Sequence, residues 1–219
     1  KVIIFGFIFT FFSSFGQSFF LGLFNSSLRD ALSISHGQFG SIYASATLLS
    51  SFILVWIGKK IDDMNILKFA FYVIILLAIS CFLFSKISSI IFLFFSIFLM
   101  RLSGQGLMSH TATTTISRYF EKSRGKALSI IWLGLSLAEF LLPLLIVFLL
   151  TMIEWQNIWF FISIIIILFL PIISFLLVRN VNLNSRESLN TNKLEIKEIK
   201  QWKRIEVLKD YRFYIICLN

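Results

Sequence analysis

Charge is the scarcest commodity in this 219-residue chain: Asp, Glu, Lys and Arg together make up 14% of it. A soluble domain usually carries ~25% charged residues, so a water-surrounded fold has too few here to cover its surface. Histidine and cysteine are nearly absent, with two of each. His36 and His110 are far apart in sequence, and Cys81 and Cys217 both fall in apolar segments. That excludes a paired-ligand metal site, reads the cysteines as small buried hydrophobes and predicts no cofactor. A membrane-embedded enzyme would need a cluster of His, Asp or Cys near an interface, and none is apparent, so the chain is read as a non-enzyme. Two prolines are too few to interrupt long helices often.

What is present is apolar bulk: 58% hydrophobic residues, including 27 Phe. Uncharged runs near twenty residues recur, which reads as an all-α polytopic membrane protein. Six spans are expected at about 2–24, 37–57, 67–85, 88–117, 127–151 and 156–178. The fourth is long enough to tilt or to project past the bilayer. The organisation that follows is a six-helix bundle over 1–179, a polar linker over 180–210 and the start of a seventh span over 211–219. In the linker, Ile196, Ile199, Trp202, Ile205 and Leu208 recur every three residues, so on a helix the stripe would spiral along the headgroups. The first apolar run is too long for a signal peptide and lacks a small-residue cleavage site. The last segment starts another span and stops, so the chain reads as a fragment missing a C-terminal half.

The net charge of +9 is distributed by topology. The N-terminus and the loops after even-numbered spans carry Lys1, Lys59, Lys60, Lys68, Arg118, Lys122, Arg124, Lys126 and Arg179, whereas the opposite side has only Arg29 and Lys86. The positive-inside rule then places the N-terminus and linker in the cytoplasm of a plasma (inner) membrane protein and leaves no charge for a nucleic-acid partner.

Polar residues inside the spans are the functional candidates. Measured from the basic end at 1.5 Å per residue, Gln17, Arg101 and Glu139 lie ~24, ~26 and ~20 Å deep. An unpaired charge at such depth costs at least ~2.5–3.5 kcal/mol, so Arg101 and Glu139 are expected to pair or to line one cavity. Gln105, four residues after Arg101, shares its face, and His110 points away as a packing or hydrogen-bonding residue. A guanidinium fork suits carboxylate or phosphate, which suggests an anionic small-molecule substrate, unless Glu139 already neutralises Arg101. Glu139 is also the candidate carrier of a coupling proton. Drug or metabolite efflux, and a non-transporting sensor or scaffold, remain as alternatives.

Several stretches resemble the N-terminal half of a major facilitator superfamily transporter. Gly58-Lys59-Lys60-Ile61-Asp62-Asp63-Met64-Asn65 is similar to its Gly-x-x-x-Asp-Arg/Lys-x-Gly-Arg/Lys signature, with Asp63 for the basic residue and Asn65 for the second glycine. Arg101-Leu102-Ser103-Gly104-Gln105-Gly106 resembles the span-four Arg-x-x-x-Gln/Gly-x-Gly pattern, and Arg124-Gly125-Lys126-Ala127 the entry into span five. Trp155-Gln156 stands where that family often has Trp-Arg, and span five has Gly134 and Pro143 but no Gly-Pro pair. The resemblance implies alternating access, with a site of Gln17, Arg101, Gln105 and Glu139 between two bundles. It also implies a cytoplasmic gate built from Gly58, Asp62, Asp63 and Arg124, in which Asp62 meets a helix N-terminus or a basic side chain.

Overall fold

In a computed structural model, residues 1–120, 122–179 and 204–218 are described, and all regular structure among them is helical. The chain divides into two compact units, Lys1–Leu183 and Asn184–Asn219. The first is a bundle in which six helices are long and apolar enough to cross a membrane, so the chain is an integral multi-pass membrane protein.

The first span is α1 (Val2–Ser13), a 3-10 turn (Ser14–Gly16) and α2 (Ser18–Gly22). The expected continuous helix is broken because Gln17 is extended, at φ −81° and ψ 155°. The loop after it contains α3 (Asn25–Leu32), which buries Leu28 and ends on Ser33 in the left-handed region at φ 52°. A capping box then starts α4 (His36–Asp63): Gln38 N–H donates to Ser35 Oγ, and the Ser35 N–H donates to Gln38 Oε1. This helix runs beyond the expected end near residue 57 and takes in the signature residues, so Gly58 to Asp63 are helix and not loop. Asn65 caps α5 (Ile66–Phe84), its side chain accepting from the Leu67 N–H. The fourth span is α6 (Ile90–Met100), a π-helical segment (Arg101–Met108) and α7 (Ser109–Tyr119). The fifth is α8 (Arg124–Leu150) and the sixth α9 (Trp155–Val178).

In the second unit, α10 (Arg204–Lys209) and α11 (Tyr211–Leu218) are joined at Asp210, whose carboxylate accepts from the Arg212 N–H. Ile196, Ile199 and Trp202 of the expected amphipathic stripe lie outside the described residues, as does most of the polar linker.

Between apolar helices in lipid, close packing is the main attraction, so small residues sit where backbones meet. Thr10 donates to the Ile131 carbonyl across the α1–α8 contact, and a Cβ on Gly134 would lie 2.3 Å from the Phe7 carbonyl oxygen. The 3-10 turn meets the π segment even more closely: a Cβ on Gly16 would lie 2.4 Å from the Met100 carbonyl oxygen, and one on Gly104 2.6 Å from the Gly16 nitrogen. Away from this seam, aromatic rings fill the space between α2, α5 and α9. Trp159 packs on Phe20, Phe24 and Phe84 with centroids 5.3, 5.0 and 4.5 Å away. Burial is uneven: half of the most apolar window of the first, third and fourth spans is covered, against 11% for α4 and 22% for α8. Those two helices keep broad faces open.

Gly134→Val places a branched side chain against the α1 backbone, and is expected to cost at least the ~1–3 kcal/mol of an overpacked site. Thermal unfolding of the detergent-purified chain should show a clear drop for it. Gly22→Ala, with nothing within 4 Å of its Cβ, should leave the midpoint nearly unchanged. Equal midpoints for both would contradict the seam.

Candidate functional site

Arg101 opens the π segment and is buried, at 7% exposure. Its Nη1 donates to the Gly16 carbonyl at 3.0 Å and to Ser18 Oγ at 3.3 Å. Both acceptors belong to the break in the first span. A regular helix spends its mid-span carbonyls on its own N–H groups; a break leaves carbonyls free for other donors. The guanidinium carbon also lies 5.4 Å from the Tyr43 ring centroid of α4, a cation–π distance. Tyr43 donates its hydroxyl proton to Ser18 Oγ at 2.9 Å. Ser18 Oγ therefore accepts from both Arg101 and Tyr43, and it donates to none of the described residues. Arg101 Nε is buried without a partner, while Nη2 is unsealed and makes no hydrogen bond to the described residues. The cluster thus gathers donors and positive charge.

Gln17 and Gln105 flank it. Gln17 is the extended residue of the break, and the Gln105 backbone nitrogen would lie 2.5 Å from a Cβ on Gly16. Both glutamine side chains are half-buried. The structure therefore brings Gln17, Arg101 and Gln105 together around one seam.

Glu139 does not join them. Among the described residues the ion pair present is Arg118–Asp62, and Glu139 makes neither an ion pair nor a hydrogen bond. The expected Arg101–Glu139 pair is corrected accordingly, and the reason is helical phase. The covered residues of α8 are Ala127, Ile131, Gly134, Ala138, Leu142 and Ile146. Glu139 follows Ala138, so it is turned ~100° off that face, and it is exposed with Trp132 and Ser136 on one of the open faces.

The second locus is where α4 and α7 end together. Arg118 Nη2 donates to Asp62 Oδ1 at 2.5 Å and Nη1 to the Ile61 carbonyl at 3.2 Å, so a cation sits on the carbonyl end of α4. One turn deeper, His110 Nε2 lies 3.0 Å from the Gly58 carbonyl oxygen. A carbonyl only accepts, so Nε2 carries the proton. Gly58 is buried, while Asp63 and Arg124 are exposed and form no ion pair among the described residues. Of the expected gate residues, Gly58 and Asp62 thus hold α7, and the partner of Asp62 is Arg118.

Tyr43, Ser18, Arg118 and the π segment itself were missed in the sequence. Tyr43 and Ser18 looked like ordinary span residues. Only the break at Gln17, signalled by Ser14, Gly16 and Ser18 in an apolar run, hinted at exposed backbone there.

The family model described as Major Facilitator Superfamily matches residues 6–218, which is nearly the whole chain. No curated protein and no solved structure matches.

Arg118 holds α4 by two bonds and Asp62 takes part in one, so their substitutions should differ. Asp62→Asn removes a half-exposed pair of the kind that contributes about 0–1 kcal/mol. Arg118→Ala also frees the Ile61 carbonyl, adding roughly 0.5–1.5 kcal/mol. Hydrogen–deuterium exchange over residues 58–65 should rise more in Arg118→Ala than in Asp62→Asn. The reverse order would exclude the carbonyl contact.

Proposed function

Because the chain belongs to the major facilitator superfamily, a family of secondary transporters, we propose that it is the first bundle of a carrier that moves a small organic anion by alternating access. The proposed binding group is Arg101, with Ser18, Gln17 and Gln105 beside it. The observation that carries this reading is that Arg101 is buried on neutral acceptors, the Gly16 carbonyl and Ser18 Oγ, with no carboxylate among the described residues to cancel its charge. A cation held this way keeps its attraction for an incoming anion, and its unsealed Nη2 can meet a carboxylate. The ring of Tyr43 and the seam at Gly16 and Gly104 fix the guanidinium in place.

The same separation frees Glu139 for another task. Under this reading it is the carboxylate that takes up and releases the coupling proton, on a face of α8 that a second bundle covers. The positive-inside charge pattern supports a cytoplasmic N-terminus and a plasma-membrane location. The Arg118–Asp62 contact ties α4 to α7 at that end, and so supports a rim of this bundle on which a gate against a second bundle would close.

Uptake by proteoliposomes carrying the full-length protein tests both roles. Arg101→Gln should raise KM for carboxylates about 10–100-fold, the loss expected from ~1.5–3 kcal/mol of charged hydrogen bonding. Saturable carboxylate uptake with an unchanged KM would sink the assignment. Glu139→Gln should abolish accumulation driven by a proton gradient while leaving substrate exchange intact. Retained gradient-driven accumulation would remove Glu139 from the coupling step.

A further inference from the structure

A cleft of about 370 Å³ lies between the last turns of α4 and the first turns of α5, with Leu107 of the π segment at its floor. Its walls are apolar, including Ile57 on α4 and Phe69 and Val73 on α5. Among the described residues Lys60 is the one charged residue that lines it, and Tyr72 of α5 lines it too. The volume falls in the ~300–1,000 Å³ range of small-ligand pockets. The candidate anion site at Arg101 takes no part in this cleft, and nothing in the transport reading uses it.

We propose that this cleft holds one anionic phospholipid, with an acyl chain against Phe69, Val73 and Leu107 and the headgroup phosphate on Lys60. Two observations select a lipid over a water-borne ligand. The helices on either side cross the membrane and present bulky apolar residues outward: Phe52 and Trp56 on α4, and Ile75 and Ile79 on α5. An acyl chain entering from the bilayer therefore passes over apolar surface. The charge is also complementary. Lys60 has no ion pair among the described residues; Asp62, two residues on, is engaged by Arg118, and Asp63, on Lys60's side of α4, forms no ion pair with it. Lys59 and Lys68 add positive charge around the same turn, against Asp63 alone. Basic pockets between spans on the cytoplasmic side suit phosphate headgroups for this reason. Because the floor of the cleft is the π segment, a bound chain would brace α4 and α5 against the helix that carries Arg101.

Native mass spectrometry of the detergent-purified full chain tests this with dioleoyl phosphatidylglycerol and dioleoyl phosphatidylcholine as probes. One phosphatidylglycerol should be retained in preference to phosphatidylcholine. Lys60→Ala should weaken that retention about five-fold, the equivalent of the ~1 kcal/mol a lysine contributes near an anionic membrane surface. Lys86→Ala, beyond the opposite end of α5, should not. Val73→Trp should displace both lipids by filling the cleft. Equal retention of both lipids by the unsubstituted chain, or undiminished phosphatidylglycerol retention in Lys60→Ala, overturns the proposal. Lys60 is exposed, so its variant keeps the fold and gives a result even where Val73→Trp does not. None of these readouts involves transport, and a failure here leaves the assignment of Arg101 standing.

Discussion

A guanidinium buried within a membrane span must find oxygen, and a bundle of intact helices has little to offer it. The answer adopted here is a break in the neighbouring helix. The extended backbone at Gln17 frees the Gly16 carbonyl, which accepts from Arg101 at 3.0 Å, and it turns Ser18 toward the same group. The contact works only because Gly16 and Gly104 both lack a Cβ where their backbones meet. Each feature requires the others. Without the break the arginine has no partner; without the arginine the freed carbonyl has no donor; without the glycines the helices cannot approach.

The π segment belongs to the same solution. Arg101 faces the first span, Ser103 reaches Ser80 on α5 at 3.2 Å, Gly106 lies against Leu54, and His110 bonds the Gly58 carbonyl on α4. Residues in π turns repeat every five rather than every four hydrogen-bonded positions, so they spread contacts around the helix differently from an α-helix. A straight α-helix through the same residues would rotate one end relative to the other. The Arg101 and His110 contacts would then not be held together. The π register is thus where the deep cluster and the α4–α7 contact are joined, and π segments are found most often at functional places.

Much of this fold was legible in the sequence, because apolar runs of near-membrane length are a strong signal and little else produces them. The six spans, the all-α class and the family signatures were read from pattern alone. The breaks in two of those helices were not. Gln17 and Arg101 both sit in segments apolar enough to read as continuous helix, and the choice between helix and break depends on a partner more than eighty residues away. The Arg101–Glu139 pairing failed for a related reason. Depth along a span can be counted from its end, but azimuth depends on which face packs, and one residue of phase separates the covered Ala138 from the exposed Glu139. Asp62 was the easier case, since a carboxylate at a helix end stands among many cations, although its neighbour Asp63 pairs with none of the described ones.

The failure of that pairing matters more than its success would have. Had Glu139 met Arg101, both charges would be cancelled inside the first bundle, and the cluster at the broken helix would be structural cement. Instead a carboxylate stands on the open face of α8, where facing lipid would cost at least ~2.5–3.5 kcal/mol on insertion scales. That cost is lowered where the face meets something polar, such as water in a cavity or side chains of another bundle. The guanidinium also keeps its charge, together with an Nη2 that no described residue occupies. On the proposed reading, two opposite charges kept apart within one bundle respond to different things, one to an anion and the other to a proton. A carrier that couples the two needs that independence.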